Sequence, residues 1–264
     1  MNIKRLVGKL ARSGRAFLYP ARRSLRHKRV GAFCVAKDDD FDGFILDARL
    51  PNCFQLCLLI WTMTIAHMTC LPQTVLGAGD VLPGYLEEFR DYCVQFEVSE
   101  RRAERNTLMT ELTASEVLEV WPDARVDVRV PVDAEGPSVV GFKAIAPGDC
   151  DAVEFGQTGH CCLVARFGAI KDEGPLMMHR PAPRWRFTCG AVIDDLGACE
   201  KEAALRHCQR GQRLLIPKTL APLSSVGPDR LKSICKEYKA HTLENHAGKS
   251  IWREPQFQLL GRCC

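Results

Sequence analysis

No acidic residue occurs among residues 1–37, although the same stretch holds eleven lysines and arginines. Charge of one sign without local compensation leaves two explanations open: a polyanionic partner, or an import signal. There is no glycine-rich phosphate loop, so nucleotide binding of that kind has no motif to rest on. Nor is there an internal repeat, which excludes solenoid and propeller architectures. No secretory signal precedes the 14 cysteines, so reduced thiols are expected. Cys53 with Cys57, the His160-Cys161-Cys162 run and Cys263-Cys264 do not form two properly spaced ligand pairs, which argues against structural zinc. An uninterrupted apolar run is missing too. Residues 53–70 come nearest, but Gln55, Thr62, Thr64, His67 and Thr69 dilute them, so no membrane partner is expected.

What remains is an ordinary globular composition over 264 residues, with 46% apolar and 26% charged residues. That suffices for one large domain or two small ones. The net charge of +4 hides an asymmetry, because residues after position 37 carry 25 basic against 32 acidic side chains. Ile3, Leu6, Val7 and Leu10 recur at helical spacing in an Arg-rich segment. Residues 1–28 therefore read as a basic arm that binds nucleic acid, or as a mitochondrial targeting segment within residues 1–30. Localisation stays open among nucleus, cytoplasm and mitochondrion.

Residues 30–37 and 44–47 read as two strands joined by a turn at Asp38, Asp39 and Asp40. The apolar stretch 53–70 reads as a buried helix or an irregular insertion. Tyr85 to Val98 ends in a strand-like alternation, and Glu100 to Arg105 forms a solvated helix or turn. Two short strands are expected within residues 123–145, around Asp133 to Pro137. A helix is expected from Ala152 to Phe167, where His160 is more simply a satisfied histidine than a ligand. A helix over 229–240 and a closing strand over 257–261 complete the pattern.

The most pointed stretch is Phe187 to Glu200. A β-branched run carries Asp194 and Asp195 and then returns to small and apolar residues, which predicts strand, tight turn and strand. Adjacent carboxylates repel unless something neutralises them, and a hard divalent cation with oxygen ligands does so. An Asp-Asp pair also makes a good solvated turn.

In order, several stretches resemble the fingers and palm of a retroelement-type reverse transcriptase. Phe33-Cys34-Val35-Ala36-Lys37 with Ile45-Leu46-Asp47-Ala48-Arg49 through Asn52 is similar to that family's fingers hairpin. Glu88 through Gln95 is similar to its first palm motif, and Ala146-Pro147-Gly148 through Gln157 to the next. Val192-Ile193-Asp194-Asp195 looks like its paired-aspartate hairpin. Gly248-Lys249-Ser250 and Phe257 to Gly261 look like its lysine motif and primer grip.

The resemblance implies an α+β fold over residues 29–264, a right-hand polymerase with an antiparallel palm sheet, helices on one face and no thumb. Residues 53–70 would be an apolar insertion. It implies RNA-directed DNA polymerase ancestry, with two Mg²⁺ ions on Glu88, Asp194 and Asp195 clamping an in-line phosphoryl transfer. Lys249 would neutralise or protonate the leaving pyrophosphate. Lys37, Cys93, Gly148 and Gln157 would line the nucleotide site, and the partners would be an RNA or DNA primer-template and nucleotides. Self-association through exposed palm surface is a further expectation.

Departures from the family pattern imply impaired activity. Glu88 stands where the family has aspartate, Gly43 where it has a triphosphate-gripping arginine, and Cys93 where an aromatic excludes ribonucleotides. Pro147 replaces a nucleotide-contacting residue. The alternative is a non-catalytic remnant that binds nucleic acid through its basic N-terminal arm.

Overall fold

Gly, Pro and Asp punctuate the chain often, and among the described residues no element exceeds 15 residues. The computed structural model describes residues 2–36, 42–56, 58, 60–66, 73–77, 80–125, 136–166, 175–177, 180–182, 184, 186–203, 226–246 and 249–254. Among them are α1 (Ile3–Arg12), β1 (Ala16–Pro20), β2 (Gly31–Ala36), β3 (Asp42–Asp47) and α2 (Arg49–Asn52). Next come β4 (Asp80–Val81), β5 (Gly84–Glu88), α3 (Tyr92–Gln95), α4 (Glu100–Arg105), α5 (Ala114–Val120) and β6 (Ser138–Phe142). The remainder are α6 (Ala152–Arg166), β7 (Phe187–Val192), β8 (Asp195–Glu200), β9 (Glu202–Ala203), α7 (Val226–Ala240) and β10 (Ile251–Glu254). This is a mixed α+β fold with small antiparallel sheets. It divides into two compact units, Met1–Leu58 with Cys93–Ala152, and Leu59–Tyr92 with Val153–Cys264.

In the first unit, Asn2 caps α1 by accepting the Arg5 N–H, and Val7 turns inward to a buried core. That core gathers Leu18 of β1, Val30, Leu46 of β3, Leu108, Val117 of α5, and Val140 and Phe142 of β6. α5 starts at a reciprocal cap between Thr113 and Glu116, which satisfies two N–H groups at its N-terminus. β1 and β6 pair antiparallel from Ala16↔Phe142 to Pro20↔Ser138. β2 and β3 form the expected hairpin, from Gly31↔Asp47 to Ala36↔Asp42. The basic segment 1–28 is thus not set apart from this unit. Its arginines and lysines point outward while Val7, Ala16, Leu18 and Tyr19 are buried. Of the two strands expected within 123–145, the second is β6, whose partner is β1; residues 126–135 lie outside the described residues.

The second unit is built on a four-stranded antiparallel sheet in the order β10-β5-β8-β7. β4 and β9 pair as a separate short ribbon. The segment after Tyr85 runs opposite to expectation: the strand comes first, and a single helical turn, α3, follows. Sheet pairing with β8 and β10 overrides local alternation here.

The apolar stretch 53–70 is irregular where described, with one 3₁₀ turn at Thr62–Thr64. It is not a buried helix, since Leu56 is 92% exposed and Ile60 70% exposed. A physical reason is visible in the second unit. The buried carboxylate of Glu154 on α6 accepts the backbone N–H groups of Ile60, Trp61 and Thr62, so these donors leave the helical ladder. Lys37, the aspartates at 38–40, Phe167, Gly248, the strand expected at 257–261 and Cys263-Cys264 all lie outside the described residues.

Candidate divalent-cation site

β7 and β8 pair from Phe187↔Glu200 to Val192↔Asp195, so only Ile193 and Asp194 form the loop. Ile193 has φ +49°. A two-residue hairpin takes positive φ to match the twist of its strands, and glycine usually fills such a position. A β-branched residue there carries strain of about 1–3 kcal/mol, which surrounding contacts must offset.

Those contacts come from α6. Gln157 accepts the Ile193 N–H at 2.8 Å and donates to the Ala191 carbonyl at 3.1 Å. It also reaches Thr64 Oγ1 at 3.2 Å and Cys161 Sγ at 3.3 Å. One helical turn on, His160 Nδ1 lies 2.8 Å from the Ile193 carbonyl, and its Nε2 lies 2.9 Å from the Tyr238 hydroxyl. A carbonyl only accepts, so Nδ1 carries the proton and Tyr238 donates to Nε2. Burial holds the imidazole at a pKa of about 4, partly opposed by the Ile193 carbonyl, so it is neutral near pH 7.

The carboxylates gather on the neighbouring strand positions. Glu88 ends β5 directly opposite Asp195 of β8. The Phe89 N–H donates to the Asp194 carbonyl at 2.9 Å, fastening the end of β5 to the turn. Asp195 is part-buried, and its Oδ1 has no hydrogen-bond partner among the described residues. Burial is the main cause that pushes its carboxyl up to about 7, with Asp194 and Glu88 adding repulsion and Lys249 opposing it. Lys249 Nζ bonds the Glu88 carboxylate. The structure thus brings Glu88, Asp194, Asp195 and Lys249 near one another, three acids beside a single ammonium. The unpartnered Asp195 oxygen beside two further acids supplies hard oxygen donors, although among the described residues the group whose ligand atoms converge within 4.8 Å is Asp149, Cys150 and Asp151.

The remaining expected residues are placed differently. Gln157 is fully buried and its amide is spent on the turn, so it shapes the hairpin instead of facing a nucleotide. Gly148, at φ +103°, has a packing reason in the first unit: a Cβ there would meet the Leu46 carbonyl oxygen at 2.2 Å. Asn52 donates to the Gly148 carbonyl at 2.9 Å. Cys93 is half-buried in α3.

Sequence reasoning passed over a second acidic group, Asp149, Cys150 and Asp151, whose potential ligand atoms lie within 4.8 Å of one another. Its donors could bind a metal ion. Arg102 already pairs with both carboxylates, however, and Asn106 donates to Asp149 at 3.1 Å. The roles of Ile193 and Tyr238 were equally unmarked, while His160 is the satisfied histidine that the sequence suggests. The available signal was two polar residues, Gln157 and His160, three apart on a helix with many small and apolar neighbours.

No family model and no curated protein matches the chain. Among solved structures, the fold is similar to that of a foamy viral protease-reverse transcriptase. The match has a TM-score of 0.54 at 10% identity, covers 98% of this chain, and involves a structure solved with double-stranded DNA. The chain spans 32% of that protein's length. At this identity the likeness to the viral reverse transcriptase concerns fold alone.

Proposed function

We propose that the chain is a reverse-transcriptase-like domain of retroelement origin, in which Asp194 and Asp195, with Glu88 alongside, hold Mg²⁺ ions on a palm sheet. The observation that carries this is the strained two-residue hairpin with a buried, unpartnered Asp195 oxygen opposite Glu88. When bound, such ions supply the charge that stabilises in-line phosphoryl transfer. The chain's own residues orient that charge: α6 fixes the turn, β5 fixes Glu88, and Lys249 offers a cation to a departing phosphate. The viral neighbour's complex with double-stranded DNA supports a primer-template as the partner class.

Polymerase activity is impaired in this reading. Glu88 is one methylene longer than the aspartate of the resembling motif, and displacement on the order of 1 Å costs about 10²-fold in rate. Its carboxylate is also tied to Lys249. Primer extension on an RNA template with Mg²⁺ or Mn²⁺ tests this, comparing the chain with Glu88→Asp and Asp194→Ala. Extension that rises in Glu88→Asp and vanishes in Asp194→Ala supports the reading. Silence of all three in folded, Mn²⁺-binding protein removes the catalytic part.

A second reading, nucleic-acid binding without chemistry, draws support from the Lys249–Glu88 pair, which satisfies one acid without a metal. It also draws on the exposed Arg22, Arg23, Arg26 and Lys28, with His27 edge-on to Phe54 at 5.5 Å. A basic surface with an accessible aromatic suits single strands. Salt-dependent binding that survives Asp194→Ala and drops on substituting these arginines would favour it.

A further inference from the structure

We propose that Tyr238 of α7 is a positioning residue for the Asp194–Asp195 cation site, acting through the tautomer of His160. This rests on the cation reading given above. The Ile193 conformation is unfavourable for its side chain, so the turn is held only while both of its backbone polar groups are bonded. Gln157 takes the N–H, and His160 takes the carbonyl.

The second bond has a condition that the first lacks. An imidazole carries its single proton on either nitrogen when neutral, and only the Nδ1–H form bonds the Ile193 carbonyl. With the proton on Nε2, the Nδ1 lone pair would face a carbonyl oxygen. The Tyr238 hydroxyl, 2.9 Å from Nε2, selects between them by donating to Nε2. Both rings are enclosed: His160 and Tyr238 are fully buried, and the Phe89 ring lies edge-on to both, at 5.1 and 4.4 Å between centroids. Tyr92 closes the other side, its hydroxyl engaged by the Gly156 carbonyl at 3.0 Å. Water is therefore a poor substitute for the tyrosine hydroxyl. Outer partners that fix the tautomer of a metal-ligating histidine typically carry about 10–100-fold in metal affinity; His160 acts one step further out, through the turn, so the low end of that range applies.

Tyr238→Phe removes only the hydroxyl and keeps the ring, so it is the test variant, with Mn²⁺ as the probe and the full chain as the protein. Three readouts separate positioning from general stability. The ¹⁵N shifts of His160 report its tautomer, Mn²⁺ titration reports affinity, and the Ile193→Gly background removes the strain that the relay opposes. We expect Tyr238→Phe to shift His160 away from the pure Nδ1–H form and to weaken Mn²⁺ binding by about tenfold. In the Ile193→Gly background the same substitution should cost little affinity, because glycine adopts positive φ freely. An unchanged tautomer with unchanged affinity overturns the proposal. So does an equal loss of affinity in both backgrounds, since that would be a packing effect. If the chain and its Asp194→Asn, Asp195→Asn variant bind Mn²⁺ alike, the cation reading fails and the positioning of a cation site fails with it. The relay to the turn is then still decided by the tautomer shift and by non-additive changes in melting temperature between Tyr238→Phe and Ile193→Gly.

Discussion

Asp195 and His160 sit two residues and one hydrogen bond from the same turn, yet their protonation equilibria pull stability in opposite directions. The Asp195 carboxyl is raised from 3.8 to about 7, chiefly by burial. Unfolded chains release that proton near pH 4 and the folded chain only near pH 7, so stability falls as pH rises through this window. Asp195→Asn should therefore stabilise the protein at pH 8, by about 1–2 kcal/mol once solvent screening of this half-exposed group is allowed for, and change little at pH 3.5. Urea denaturation at the two pH values measures it, and an equal effect at both would contradict the assignment. His160 is lowered from 6.5 to about 4, again by burial. The unfolded chain takes up its proton first as pH falls, so this contribution is full above pH 6.5 and is lost towards pH 4. The slope should be read in the Asp195→Asn background, where the opposing carboxylate is gone. Replacing His160 as well should flatten it.

Helix α6 contributes to this protein less by its own stability than by what its side chains take from neighbouring backbone. Gln157 and His160 hold the hairpin, and Glu154 collects three N–H groups of residues 60–62. Glu154→Ala should leave those donors without their acceptor. Amide exchange at Ile60, Trp61 and Thr62 is expected to speed up by at least about tenfold, while β7 and β8 stay protected. Uniform loss of protection would mean global unfolding instead. In the first unit, Gly148 shows how one connection depends on a missing side chain. Its φ of +103° opposes any Cβ, and a Cβ there would lie 2.2 Å from the Leu46 carbonyl oxygen. Gly148→Ala should cost roughly 2 kcal/mol or more, visible as a lowered denaturation midpoint.

At the scale of the whole molecule, apolar side chains and charge are unevenly distributed. Leu56, Ile60, Met63 and Val75 each stand exposed, and large exposed apolar side chains favour association. Sedimentation should show concentration-dependent self-association, reduced by Leu56→Ser with Ile60→Ser. A monomer at all concentrations would count against it. The fold's likeness to a viral reverse transcriptase at 10% identity is consistent with how folds are specified. Burial patterns and turn positions can persist when nearly every residue has changed, because a core accepts many apolar combinations.

Only the pairing of β5 with β8 brings Glu88 to the aspartates, but the sequence by itself determined the hairpins β2–β3 and β7–β8 and helix α6. Each is set by local chemistry: alternation, turn residues and capping act over a few neighbours. Tertiary structure decided the rest. Residues 1–28 looked like an arm because their charge is conspicuous, while Val7 and Leu18 are buried beside distant Val117 and Val140. Tyr85 to Glu88 became a strand because β8 and β10 flank it. Gln157 was expected beside a nucleotide and not as the holder of a turn, since its partners at 191 and 193 lie 34 and 36 residues away. Tyr238 was not legible at all. Its hydroxyl matters only because folding buries it against a histidine 78 residues earlier.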